Sequence, residues 1–126
     1  MIKPKFKKIS TTDNEIIAEA GATIAQLIQT AAKHDLSGLE VWVGLPGTVG
    51  GAVRGNAGAG GVEMKDLLTS ATILNLEAKR IEEWKNEDFK FGYRESTLKN
   101  RAAFIVLSAT LQFQKKLPGA EQRLIM

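Results

Sequence analysis

Eighteen residues dominate what this chain can fold into: the run from Gly44 to Gly61, GLPGTVGGAVRGNAGAGG, which holds eight of the twelve glycines. Glycine serves where a backbone must take positive φ or let another group approach within contact distance. So dense a cluster predicts irregular backbone, neither a regular helix nor a central strand. Leu45, Val49, Ala52 and Val53 lie within the run, so it does not read as a flexible Gly/Ser linker. The expectation is an ordered, tightly folded loop whose exposed N–H groups meet an anionic ligand. The alternative is a glycine-rich turn cluster without a ligand.

Two nucleotide motifs can be tested against the run. No Lys-Ser or Lys-Thr follows the glycines, which excludes a P-loop. A dinucleotide fingerprint needs a strand before the glycines and a long helix after them. Here a second glycine cluster, Gly55 to Gly61, stands where that helix should run, which argues against a Rossmann site.

At 126 residues the chain is one small domain, long enough to bury a core. It has no cysteine, so disulfide frameworks and thiolate metal sites are excluded, and the single His34 argues against an all-protein zinc site. No membrane span or secretory leader is apparent, and a cytoplasmic location is expected. Net charge is +3, with Lys3, Lys5, Lys7 and Lys8 crowded at the start. No aromatic stacking set accompanies these lysines, so they read as an edge-strand guard rather than a nucleic-acid patch.

Residues 3–9 and 15–20 read as two short strands around the turn Thr11-Thr12-Asp13-Asn14. Ile24, Leu27, Ile28, Ala31 and Ala32 then fall on one helical face. Thr23 and Gln26 supply a capping box, Ser37-Gly38 the stop, and His34 lies in the last turn. Glu63–Leu68 reads as one helical turn, 70–77 and 80–84 as a hairpin around Ala78-Lys79, and Asn86 as the cap of a short turn through Phe89. The strongest strand is 103–113, with Ile105, Leu107, Ala109, Leu111 and Phe113 on one face. The fold class is α+β, an antiparallel-rich sheet with one or two helices on one face. Both ends look cut rather than natural, since the tail Ala120–Met126 begins an apolar stretch without a cap.

Three stretches together resemble one family. They are Ser37-Gly38-Leu39-Glu40 leading into Gly44-Leu45-Pro46-Gly47-Thr48-Val49-Gly50-Gly51-Ala52-Val53, then Asn56-Ala57-Gly58-Ala59 with Gly61 and Glu63, then Phe91-Gly92-Tyr93-Arg94. From Lys5 to Gln114 the chain resembles UDP-N-acetylenolpyruvoylglucosamine reductase, a flavoenzyme of peptidoglycan synthesis. Segments like Pro46-Gly47-Thr48-Val49-Gly50-Gly51-Ala52 and Asn56-Ala57-Gly58 occur across the wider group of FAD-linked oxidases and dehydrogenases, and the Phe-Gly-Tyr-Arg element separates this family from them.

The resemblance implies the second subdomain of a PCMH-type FAD-binding domain over residues 1–116. Residues 117–126 would begin a linker or helix toward a substrate domain. It implies FAD as cofactor, NADPH as reductant and a UDP-sugar enolpyruvate as substrate. Gly44, Pro46, Gly47, Thr48, Gly50, Gly51, Ala52, Asn56 and Gly58 would approach FAD. Arg94 would be catalytic, its guanidinium neutralising the substrate carboxylate as the enolate forms, and Tyr93 would shape the substrate pocket.

The family's first FAD-binding subdomain and its substrate domain have no counterpart here, and Gly60 stands where the family usually has an aromatic residue. The chain alone is therefore expected to be inactive, with association through the face meant for the missing subdomain. Ser96 and Ser108 lie outside the motif of the family's proton-donating serine. No nucleic-acid or membrane partner is expected. The alternatives are the FAD-binding subdomain of another FAD-linked oxidoreductase, or a non-catalytic binding or assembly module that keeps the fold.

Overall fold

A computed structural model describes residues 7–115 of the chain. Lys3 and Lys5, the tail Ala120–Met126 and the boundary expected after residue 116 lie outside the described residues. The first elements are a hairpin, β1 (Ile9–Thr12) and β2 (Glu15–Glu19), paired antiparallel across Asp13-Asn14. Asp13 takes φ 52°, the left-handed geometry that two-residue hairpin loops require and that Asp tolerates. Thr11 and Thr12 are thereby strand residues rather than part of a four-residue turn. β1 is a sheet edge, with Lys7 and Lys8 exposed ahead of it.

The capping box forms as expected: Gln26 N donates to Thr23 Oγ1 at 3.1 Å and Thr23 N donates to Gln26 Oε1 at 2.9 Å. α1 (Ile24–Lys33) follows and buries Ile24, Leu27 and Ala31, while Ala32 is exposed. The helix ends at His34 rather than at Ser37-Gly38, because Asp35 turns left-handed with φ 55°. His34 Nδ1 lies 3.0 Å from the Thr30 carbonyl oxygen, a helix-end contact. Leu36 and Ser37 form β3 (Leu36–Ser37), and a 3-10 turn at Glu40–Trp42 leads into the glycine run.

That run contains a helix, α2 (Val49–Gly55), which corrects the expectation of wholly irregular backbone. Each glycine in a helix interior costs about 1 kcal/mol relative to alanine, and packing outweighs it here. Val49, Ala52 and Val53 are buried, and Thr48 caps the helix by accepting from Gly51 N. Val49 N donates to Ala22 O at 2.8 Å and Gly50 N donates to Ala20 O at 3.0 Å, stitching α2 to the segment between β2 and α1. A Cβ at residue 50 would stand 2.9 Å from Ala20 Cβ, so only glycine allows this approach.

Next come the small pair β4 (Gly58–Ala59) and β5 (Val62–Glu63), the single turn α3 (Met64–Leu67), and the hairpin β6 (Leu68–Asn75) with β7 (Arg80–Lys85). Glu82 on β7 accepts from Trp84 Nε1, Arg80 Nε and Asn75 Nδ2. These bonds hold its carboxyl well below the ordinary carboxylate range, at about 2. A 3-10 turn follows at Asn86–Phe89, where Lys85 N donates to Asp88 Oδ2. Asn86 does not cap this turn. Its Nδ2 donates to Lys65 O and Leu68 O, tying the turn to α3.

The last strands are β8 (Phe104–Gln112) and β9 (Gln114–Lys115). The sheet order is β1-β2-β8-β6-β7, antiparallel throughout, with three short helices, so the α+β expectation is borne out. β8 does not alternate as its sequence reads. Thr72 pairs with Ser108 and Ile73 with Val106, leaving Leu107 as a bulge. The buried face is Phe104 and Val106 before the bulge and Ala109, Leu111 and Phe113 after it, with Ile105 and Leu107 only half-buried. On its other side the Leu107 carbonyl accepts from Ala20 N at 2.9 Å, continuing the β2–β8 register by one pair. No helix among the described residues is long and apolar enough to cross a membrane.

Candidate functional site

Gly44 and Gly47 open the glycine segment with φ 88° and 110°, turns that only glycine makes without strain. Ile24 N donates to Gly47 O, fixing this turn against the start of α1. Gly44, Pro46, Gly47, Thr48 and Gly51 are exposed and Gly50 is half-buried, so six of the expected cofactor-contacting positions share one accessible stretch. Ala52 instead faces the core. The amides at the start of α2 are not available to an anion, since Ala22 O, Ala20 O and Thr48 Oγ1 take those of Val49, Gly50 and Gly51. What the stretch offers is a surface of small residues. Ala20, Thr48, Gly50 and Gly51 join Arg54, Ile105 and Val106 around a hollow of ≈ 160 Å³.

At the other end of α2 the chain turns left-handed at Asn56, φ 47°, a conformation Asn adopts more readily than most residues. Asn56 is fully buried, and its amide is engaged within the protein. Nδ2 donates to Glu63 Oε2 and to Gly92 O, both at 2.7 Å, and Oδ1 accepts from Lys65 N at 2.9 Å. Its side chain therefore holds the loop together rather than facing a ligand. Gly58 is also buried, and a Cβ there would come within 2.5 Å of Val62 O.

Asn56 and Gly58 bring the Phe-Gly-Tyr-Arg element against the glycine segment. Gly92 and Glu95 exchange backbone hydrogen bonds, at 2.9 and 3.2 Å, around a two-residue turn of Tyr93 and Arg94. Arg94 has φ 53°, which costs an ordinary residue about 1–2 kcal/mol. Its Nη2 donates to Gly58 O at 3.0 Å, and its guanidinium carbon lies 5.1 Å from the centre of the Tyr93 ring. Tyr93 is 83% exposed. With residues 58–63 these two side chains line a cleft of ≈ 180 Å³. Gly60, in that wall, takes φ 61°, and a Cβ there would fall 2.5 Å from Val41 Cβ. Val41 thus fills the space that the first atom of an aromatic side chain would need.

Sequence reasoning missed Arg54. Its Nη1 donates to the carbonyls of Leu98 and Arg101, and its Nη2 to that of Phe104. A single arginine in a glycine run carries no local signature of that role.

Residues 2–82, more than half of the chain, match the family described as FAD binding domain. The UDP-N-acetylenolpyruvoylglucosamine reductase of Lactobacillus acidophilus is 38% identical over 125 residues, covering 99% of this chain and 40% of that protein. That of Syntrophomonas wolfei is 43% identical over 111 residues, covering 88% and 36%. The crystal structure of UDP-N-acetylenolpyruvylglucosamine reductase (MurB) from Thermus caldophilus matches with a TM-score of 0.75 and 33% identity, over 91% of this chain and 41% of that one. The chain spans about two fifths of the length of these relatives. The matched stretch contains the glycine turns, α2 and Asn56, and with a similar fold at 33% identity beside it, this chain belongs to the FAD binding domain family.

Proposed function

We propose that this chain is the second FAD-binding subdomain of a UDP-N-acetylenolpyruvoylglucosamine reductase, which uses NADPH to form UDP-N-acetylmuramate for peptidoglycan in the cytoplasm. The observation that carries this reading is Arg94. An arginine in a left-handed turn, anchored to the Gly58 carbonyl beside an open cleft, is held in a conformation of raised energy. Its relatives bearing the reductase name supply the reaction that such a cation suits.

The small-residue surface of Thr48, Gly50 and Gly51 fits a cofactor that needs close backbone approach. When bound, FAD supplies hydride transfer between NADPH and the enolpyruvyl group. Arg94 offers a permanent charge and a two-pronged donor to the substrate carboxylate, stabilising negative charge as it develops. Tyr93 forms the exposed wall of the cleft, and Asn56 holds both segments in register.

A chimaera of the Lactobacillus acidophilus reductase, with this chain replacing its matching stretch, tests the assignment. Arg94→Lys should lower turnover about 100-fold, as loss of a positioned donor at developing charge typically does. Flavin reduction by NADPH should continue at the parent rate, since it does not involve the enolpyruvyl carboxylate. Normal turnover in the lysine variant, or loss of the NADPH half-reaction alone, would refute the role.

A further inference from the structure

We propose that Arg54 is a positioning residue for Arg94, clamping the Tyr93-Arg94 turn to the C-terminal end of α2. Arg54 sits in the last turn of that helix and is half-buried. Its guanidinium serves three backbone carbonyls, those of Leu98, Arg101 and Phe104. Residues 96–103 form no helix or strand, so these bonds give the segment the frame that secondary structure would otherwise supply. Ser96 completes the attachment: its Oγ donates to Arg54 O at 2.6 Å and accepts from Leu98 N at 3.2 Å.

The other side of the turn is tied to the same place. Asn56, the C-cap of α2, donates to Gly92 O. The turn is thus suspended between two attachments on one helix end, with Arg94 left-handed between them. Lys99 Nζ donates to Arg94 O at 2.8 Å, and Lys99 lies on the segment that Arg54 holds. Three carbonyls fanned around one guanidinium suit its planar fork, whereas an ammonium lacks that geometry. That Arg94 then meets a substrate carboxylate rests on the function proposed above. The clamp does not.

The test is nitrogen-15 NMR on the full 126-residue chain. In the parent, the Arg94 Nη protons should give resolved signals, because the bond to Gly58 O slows guanidinium rotation. In Arg54→Met these signals should collapse to the averaged position of a free arginine. The Glu95 amide should exchange about tenfold faster, the scale of one hydrogen bond to a charged group. Amides of the β2–β8 pairing should keep their parent rates, and Arg54→Lys should restore part of the Arg94 signature. Unchanged Arg94 signals in a folded Arg54→Met would overturn the proposal. So would equal acceleration across β2 and β8, which would make Arg54 a general stabiliser of the fold. Should Arg54→Met fail to fold, Ser96→Ala decides by the same readout: collapsed Arg94 signals support the clamp and parental ones overturn it. A chimaera that fails to turn over substrate while Arg94 keeps its signature would sink the reductase reading alone.

Discussion

Gly58 and Gly51 look alike in the sequence, yet their surroundings set opposite tolerances. At Gly58 a Cβ would stand 2.5 Å from Val62 O and 2.9 Å from Glu63 Cα, both backbone atoms that cannot swing away. Gly58→Ala should destabilise the protein by about 2–3 kcal/mol through overpacking. At Gly51 a Cβ would meet only Thr48 Oγ1 at 3.5 Å, an ordinary contact, on an exposed helix position. Gly51→Ala should stabilise by about 0.5–1 kcal/mol, because alanine restricts the unfolded chain and favours helix. Urea denaturation of the two variants against the parent checks both signs, and a destabilising Gly51→Ala would contradict this account of α2. Gly51 takes no positive φ, and no described residue of this chain approaches it closely. Arg94 became recognisable through its neighbours Phe91, Gly92 and Tyr93. Its left-handed backbone leaves no mark in the sequence, because arginine is not a residue that announces such a conformation.

The β6–β7 hairpin carries a pH dependence of its own. Glu82 accepts three hydrogen bonds that favour its charged form, and its carboxyl lies at about 2 instead of 4.5. The stabilisation it gives is therefore fully present above the ordinary carboxylate value and fades as pH falls from 4.5 toward 2. The melting temperature of the parent should exceed that of Glu82→Gln at pH 6, and the gap should close toward pH 2. A gap independent of pH would rule out the charged form as the cause. Other elements were open to reading from local chemistry. The capping box of Thr23 and Gln26 needs only its own side chains and backbone, and the β6–β7 hairpin was legible too, though its turn takes residues 76–79 rather than Ala78-Lys79 alone. α2 and the β8 bulge were not, because their causes lie elsewhere in the chain. Ala20 and Ala22 accept the α2 amides, and the bulge is visible only in the pairing with β6, where Thr72 faces Ser108 and Ile73 faces Val106. No window around Val49 or Leu107 contains that information.

The whole molecule bears on how flavin is held. With the first amides of α2 engaged by Ala22, Ala20 and Thr48, the glycine segment offers shape more than hydrogen bonds. FAD mixed with this chain alone should therefore separate from it on gel filtration, with flavin absorbance in the small-molecule fractions. Co-elution of one FAD per chain would contradict that expectation. The sheet order has a further consequence, for how the molecule comes into being. Among the described residues β8 is the last long strand, yet it lies at the centre, and there the β1–β2 and β6–β7 hairpins join one sheet through it. Until residues 104–112 leave the ribosome, β2 and β6 each wait with an unpaired edge, some ninety residues of separation stand between β2 and its partner, and assembly is set by that long-range closure rather than by the early hairpins.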